Sequence, residues 1–336
     1  MVDLLRDIPL GSRNTLRLPG RSRYFVRATS RQALSDAVAE ARAAGWPLLL
    51  LGGGSNLVLR GDFDGLCVQI ATRGIRPLRQ DAEWQWLDVE AGENWHDFVR
   101  YCLAQGWFGL ENLALIPGTV GACPIQNIGA YGVEVGPFID SVELLDLASG
   151  EPRRLAGDDC RFGYRDSLFK QALRDRVLIL SVRFRLRRQP RLVLGYQGLA
   201  DALAGQAAPS AQDLFDAVVA LRQRKLPDPA RIPNAGSFFK NPVVDPATYR
   251  RLLVEHPGLV AYPDSAGMKL AAGWLIERAG WKGFRDGAVG VHKHQALVLV
   301  HHGGGDGAAL LALAARIQAD IHKRFGLSLE IEPRIY

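Results

Sequence analysis

Residues 110–132 constrain this chain more than any other stretch. They include one charged side chain, Glu111, with four glycines and two prolines, yet also the Leu, Ile and Val of a buried segment. A surface loop would be more polar. A core helix or strand would not hold Pro117, Gly118 and Gly121 so close together. Buried irregular backbone must still find partners for its N–H and C=O groups. A bound ligand rich in acceptors can supply them, with glycines where the backbone touches it. The stretch therefore reads as a ligand cradle.

A second glycine cluster lies upstream. Residues 47–51, a proline and four leucines, read as a buried strand. Gly52, Gly53, Gly54, Ser55 and Asn56 follow at once, and then the apolar run 57–59. A Rossmann fingerprint would need such glycines to open a long helix with an acidic residue downstream. Strand, glycine turn and strand exclude it. Successive amides in such a turn can still cup a pyrophosphate. A plain hairpin turn is the structural alternative.

Around these two segments the chain alternates helix and strand signals. Ser30 caps a helix with Leu34, Ala37, Val38 and Ala41 inward, closed by Gly45. Asn94 caps another, with Trp95, Phe98, Val99 and Cys102 inward. Residues 84–90, 141–147 and 177–186 read as strands. On the last of these Val182, Phe184 and Leu186 alternate with Arg183, Arg185 and Arg187, which predicts one buried and one solvated face. Ser210 and Asp213 form a capping box for a helix carrying Leu214, Val218 and Leu221. The double proline at 227 and 229 marks a domain boundary. Beyond it the pattern predicts helices opening at Pro246 and over 269–279. It also predicts a buried strand over 295–300, a long helix lined by Leu310, Leu313, Ile317 and Ile321, and a final strand over 327–336. Mixed order of this kind places the chain in the α+β class.

With 336 residues, 48% hydrophobic and 23% charged, two or three soluble domains are expected. No apolar run is long enough to span a bilayer, and the first residues lack a signal pattern, so no membrane association and a cytoplasmic location are expected. Four widely spaced cysteines, Cys67, Cys102, Cys123 and Cys160, lack metal or disulfide spacing. The net charge of +6 suits nucleic acid or phosphate-bearing small molecules alike. Without any nucleic-acid motif the small molecule is preferred.

Three places could carry chemistry. Arg165 offers a permanent planar cation suited to a carboxylate, or else a salt bridge to Asp166. Ser237, between Gly236 and two phenylalanines, has an exposable hydroxyl in dry surroundings and could give up a proton. Otherwise it is a turn serine. Glu330 and Glu332 alternate on the last segment, as carboxyls entering a pocket or as exposed strand residues. His292 and His294 share a predicted strand face near His301 and His302, but without ligands at metal spacing no metal is expected.

Taken together, residues 51–57 (LGGGSNL), 109–134 (GLENLALIPGTVGACPIQNIGAYGVE), 160–170 (CRFGYRDSLFK), 225–229 (KLPDP), 234–242 (NAGSFFKNP), 269–277, 294–300 and 329–336 (LEIEPRIY) closely resemble the UDP-N-acetylenolpyruvoylglucosamine reductase family. The segment around Tyr196 matches its longer type. The resemblance implies an α+β fold with a two-part FAD-binding unit of the vanillyl-alcohol-oxidase (PCMH) type, plus an α+β substrate-binding domain. The implied divisions are 1–70 with 327–336, 71–226, and 227–326.

The resemblance also implies non-covalent FAD, NADPH as co-substrate, a sugar-nucleotide substrate, a monomer and a role in cell-wall precursor synthesis. FAD contacts would come from Gly52, Gly53, Gly54, Ser55 and Asn56, from Asn112, Pro117, Gly118, Thr119, Gly121 and Ala122, and from Gln126, Asn127, Gly129, Ala130, Tyr131 and Gly132. Tyr196, Lys225, Asn241 and Gln295 would hold the substrate. Arg165, Ser237 and Glu330 would be catalytic. Cys123, where the family has Ala or Ser, reads as a small buried thiol. Another FAD-dependent oxidase on the same fold, or a non-catalytic nucleotide-binding protein, are the alternatives.

Overall fold

The four leucines after Pro47 form the strand Leu48–Leu51, which runs parallel to Phe63–Ile70. Arg21–Ala28 lies parallel on the other side of Phe63–Ile70, and Leu5–Pro9 completes the sheet. Parallel neighbours need a crossover, and α1 (Arg31–Ala44) supplies it. The Ser30 hydroxyl accepts from the Ala33 amide, and Gly45 closes the helix in the left-handed conformation. Leu34, Ala37, Val38 and Ala41 are buried as their spacing predicts, in a cluster with Val26, Ala28, Leu66 and Val68. The computed structural model describes residues 3–196 and 198–336.

A five-stranded antiparallel sheet follows in the order Pro152–Ala156, Ile139–Asp146, Val177–Arg187, Trp84–Glu90, Ile75–Gln80. Val182, Phe184 and Leu186 join a core with α2 (Trp95–Ala104), α3 (Leu199–Leu203) and α4 (Ala211–Lys225). The arginines between them stay on the outer face. Arg183 pairs in register with Asp88 and bonds it at 2.8 Å, while Arg185 and Arg187 lie over Trp84. The capping box forms reciprocally: the Asp213 amide donates to Ser210 Oγ, and the Ser210 amide to Asp213 Oδ2. These parts belong to a first unit of Met1–Ile8, Ser22–Gly53 and Phe63–Arg224.

The second unit comprises Pro9–Arg21, Gly54–Asp62 and Lys225–Tyr336. One sheet orders Asn234–Ser237, Val298–His301, Val289–Val291 and Arg285–Asp286; another orders Val243–Val244, Gly267–Leu270 and Ala261–Asp264. Its helices are α5 (Pro246–Glu255), α6 (Ala272–Arg278) and α7 (Gly307–Phe325). Arg334–Ile335 pairs parallel with Leu57–Val58. Leu48–Leu51 and Leu57–Val58 thus lie in different sheets, and the glycine turn joining them is no hairpin.

Four expected elements differ. The helix expected over 269–279 begins at Ala272, because Lys269 pairs with Val243 and Tyr262 in a strand. The strand expected over 295–300 begins at Val298, whose amide turns back to the Gln295 carbonyl. His292 and His294 lie in an irregular segment after Val291, with His294 in a bend, rather than on a strand face. Of the final strand expected over 327–336, only a bridge at Ile331 and the pair Arg334–Ile335 are regular. No helix of the described residues is long and apolar enough to cross a membrane.

Candidate flavin site

In the first unit the two glycine segments meet. A Cβ on Gly53 would stand 3.0 Å from Gly118 Cα, and one on Gly52 would stand 2.6 Å from Thr119 Oγ1. Only glycine lets two backbone turns approach so closely. The amides of Gly52, Gly53, Gly118 and Thr119 donate to nothing among the described residues. Gly53 is exposed, while Gly52, Gly118 and Thr119 are part-buried, and part-buried amides of this kind can serve an external acceptor. Gly121 has a different reason for being glycine. Its amide bonds the Ala91 carbonyl at 2.8 Å, and a side chain would run into Ala91. Packing against Ala91 alone is enough to require glycine there.

The cradle is pinned at several points. The Trp95 indole donates to the Leu113 carbonyl at 2.8 Å. Asn112 Nδ2 reaches the carbonyls of Tyr131 and Val193, both at 2.9 Å. Asn127 is fully engaged inside the fold. Its Nδ2 bonds Glu134 and the Gly163 carbonyl, and its Oδ1 takes the Gly136 amide. Its side chain therefore shapes the cradle from within. Cys123 is buried, which pushes its thiol well up and keeps it unreactive.

Arg165 sits at the tip of a tight turn. Gly163 and Asp166 exchange backbone hydrogen bonds at 3.0 and 3.2 Å, and Arg165 takes a φ of 52°. A bulky residue held there is strained, and such strain collects at functional positions. The turn is docked on the cradle. Ser167 Oγ donates to the Ile125 carbonyl at 2.6 Å, and Arg165 Nη2 to the Gly129 carbonyl at 2.7 Å. The Asp166 carboxylate accepts from Gln171 and from the Ser167 amide. Tyr196 packs edge-on against Tyr131, with ring centroids 5.0 Å apart.

One residue here escaped the sequence reading. Arg222 of α4 bonds the Leu115 carbonyl at 3.2 Å and no carboxylate among the described residues. Burial lowers its pKa, Tyr131 opposes that shift, and the positive charge of Arg165 adds to it. The buried guanidinium of Arg222 thus feels the charge of Arg165 as well as the loss of water. The signal was present in the sequence as an arginine one residue after the buried Leu221, on the border of the helix's apolar stripe.

In the second unit Ser237 ends Asn234–Ser237, whose pairing with Val298–His301 shifts register between Asn234 and Ser237. Such a bulge re-aims a side chain. Gly236 takes a φ of 70°, and its amide bonds Asn234 Oδ1. The Ser237 hydroxyl bonds nothing among the described residues, while Phe238 and Phe239 beside it are buried. Segments 238–240 and 330–332 pair antiparallel: Lys240 N donates to the Glu330 carbonyl and Glu332 N to the Phe238 carbonyl, both at 2.9 Å.

This register separates the two glutamates. The Glu330 side chain is 67% exposed and ion-paired with Lys240 at 2.5 Å, whereas Glu332 is half-buried. Glu330 therefore stands as a solvated, paired carboxylate rather than as the pocket acid its alternation suggested. Asn241 Oδ1 accepts the Ala272 amide that opens α6, and Gln295 Oε1 makes a long 3.4 Å contact with the Leu297 amide. Lys225, the last residue of α4, is exposed. A cleft of about 980 Å³ in this unit is lined by Arg17, Arg231, His302 and residues 303–306, and none of the residues assigned above borders it.

The FAD binding domain family matches residues 22–156, and the family described as UDP-N-acetylenolpyruvoylglucosamine reductase, C-terminal domain, matches residues 228–336. A UDP-N-acetylenolpyruvoylglucosamine reductase of Azoarcus sp. is 55% identical, covering 97% of this chain and 96% of its own length. One of Pseudomonas aeruginosa is 51% identical, covering 100% and 99%. A solved UDP-N-acetylenolpyruvylglucosamine reductase of Thermus caldophilus covers both chains fully at a TM-score of 0.68 and 22% identity, which speaks to fold alone.

FAD is the cofactor these matches indicate, and the first unit suits it. The four amides that donate to nothing among the described residues match acceptor-rich phosphates. Gly53→Ala is expected to weaken FAD binding about 5–150-fold, the range set by roughly 1–3 kcal/mol of overpacking. Flavin fluorescence titration of the apoprotein checks this, and an affinity within twofold of the parent would refute it.

Proposed function

Because the chain belongs to the UDP-N-acetylenolpyruvoylglucosamine reductase family of FAD-dependent oxidoreductases, we propose that it reduces the enolpyruvyl ether of UDP-N-acetylglucosamine enolpyruvate to UDP-N-acetylmuramate. NADPH is the electron donor in this reading, and the product serves peptidoglycan synthesis. A cytoplasmic monomer, and a division into FAD-binding parts at 1–70 with 327–336 and at 71–226 and a substrate-binding part at 227–326, belong to the same proposal. Ser237 carries the reading: an unbonded hydroxyl, aimed by a bulge and flanked by buried phenylalanines, is what a proton donor needs.

FAD, held in the cradle and reduced by NADPH, would supply the hydride that C3 of the enolpyruvyl group takes up. Negative charge then develops at C2 and spreads into the carboxylate. Arg165 stabilises it there as a fixed cation, and its strained turn keeps the guanidinium in place before the substrate arrives. Ser237 delivers the proton to C2, so one hydride and one proton saturate the double bond. Tyr196 and Lys225 hold the diphosphate, with Asn241 Nδ2 and the Gln295 amide as further donors. Binding energy from the remote nucleotide then positions the small reacting end.

The carboxyl role expected of Glu330 has a second reading, which exposure favours. Glu332 is the more buried of the two, and its amide bonds the residue next to Ser237. Glu330→Gln is expected to keep turnover within about threefold, in line with the small worth of an exposed ion pair. Glu332→Gln is expected to lower it by about 10²-fold or more. The opposite ranking would return the role to Glu330.

The reaction itself is tested anaerobically. The protein is reduced with NADPH, the enolpyruvyl sugar nucleotide is added, and flavin absorbance is followed. Recovery of the oxidised spectrum supports the proposal. No recovery, together with oxygen consumption in the absence of NADPH, would favour an oxidase on the same fold.

A further inference from the structure

Leu115 is the most constrained residue of the cradle that ligand contact does not explain. Its φ is 58°, in the left-handed region that a leucine occupies only under compulsion. Both of its backbone groups are held by side chains from different helices. His96 Nδ1 on α2 accepts from the Leu115 amide at 3.0 Å, and Arg222 Nε on α4 donates to the Leu115 carbonyl at 3.2 Å. Three residues further on stand the Gly118 and Thr119 amides that face no partner among the described residues. The conformation at Leu115 sets the direction in which that turn leaves.

We propose that His96 is a positioning residue of the flavin site, holding Leu115 in its left-handed conformation through an unprotonated Nδ1, with Arg222 holding the other end of the same residue. The proposal rests on FAD lying in the cradle.

The chemistry is specific to the neutral ring. An amide N–H can donate to Nδ1 only while that nitrogen keeps its lone pair, which places the ring proton on Nε2. Protonation would set two donors against each other and release the strained backbone. The surroundings hold the ring neutral. It lies flat against Phe215 of α4, with centroids 5.5 Å apart and planes 9° apart. Burial lowers its pKa, Arg100 of α2 and Arg222 of α4 lower it further, and Asp97 of α2 alone opposes them. For a base depressed in this way the contribution is complete above the ordinary value of about 6.5 and is lost as pH falls through the folded value. FAD binding should follow the same course.

The test is the FAD dissociation constant of the full-length apoprotein between pH 5 and 8, read by flavin fluorescence. For the wild type, affinity is expected to fall on the acid side. His96→Asn keeps an acceptor near the Nδ1 position but cannot titrate. It should bind within about threefold of wild type at pH 8 and lose the acid-side fall. His96→Leu keeps a body to pack on Phe215 but leaves the Leu115 amide unsatisfied, so its affinity should be about tenfold lower or worse at every pH. Wild-type affinity in His96→Leu, or an unchanged acid limb in His96→Asn, would overturn the clasp while leaving the flavin site standing. A wild-type chain that takes up no FAD at any pH would overturn the flavin reading and the clasp with it.

Discussion

Ser237→Ala is expected to leave FAD content and flavin reduction by NADPH intact while slowing reoxidation by the enolpyruvyl substrate about 10²–10⁴-fold, the usual worth of a positioned general acid. The substitution isolates the proton. Ser237 joins its strand through backbone groups, its register partner is Val298, and its hydroxyl holds nothing else among the described residues. Removing that oxygen should therefore change stability by no more than about 0.5 kcal/mol. Single-turnover reoxidation is the appropriate readout, since it separates this step from binding and release. Turnover within threefold of wild type would remove Ser237 from the chemistry.

The second large effect belongs to Arg165. Arg165→Lys keeps a positive charge but loses the planar fork and with it the 2.7 Å bond to the Gly129 carbonyl. Substrate-dependent reoxidation is expected to fall about 10²–10³-fold, the scale for losing a preorganised donor to developing negative charge. FAD affinity should change far less, because the Gly52, Gly53, Gly118 and Thr119 amides are untouched. The cause lies in the backbone as much as the guanidinium. The turn from Gly163 to Asp166 holds Arg165 in a left-handed conformation, and Asn127 and Ser167 tie that turn to the cradle. A lysine on the same turn is a looser point charge. An Arg165→Lys enzyme with full reoxidation rate would show that charge alone suffices.

Much of this was legible from local pattern. α1, α2 and α4 opened at the caps their sequences announced, because a cap is a bond between residues two or three apart. The alternation over Val177–Arg187 separated core from solvent correctly because side chains on a strand alternate between faces. Patterns that depended on distant partners were misread. Lys269 and Leu270 carry helical spacing but pair with Ala261–Asp264, and tertiary pairing outweighs propensity. The resemblance implies FAD contacts at Asn127 and Gly121, and the fold gives each a further task, holding one part of the structure against another.

The sequence by itself determined that residues 110–132 would be an irregular, buried cradle, since no regular element could contain its prolines and glycines. By resemblance it also pointed to the cargo and to Arg165 and Ser237. Only the tertiary structure decided which groups in that cradle remain open. It left the amides of Gly52, Gly53, Gly118 and Thr119 without partners among the described residues, exposed Glu330 while half-burying Glu332, and placed Arg222 and His96 on either end of Leu115. The physical reason is the same in each case. Whether a polar group is available depends on what the fold brings to it from far along the chain, and no local pattern records that.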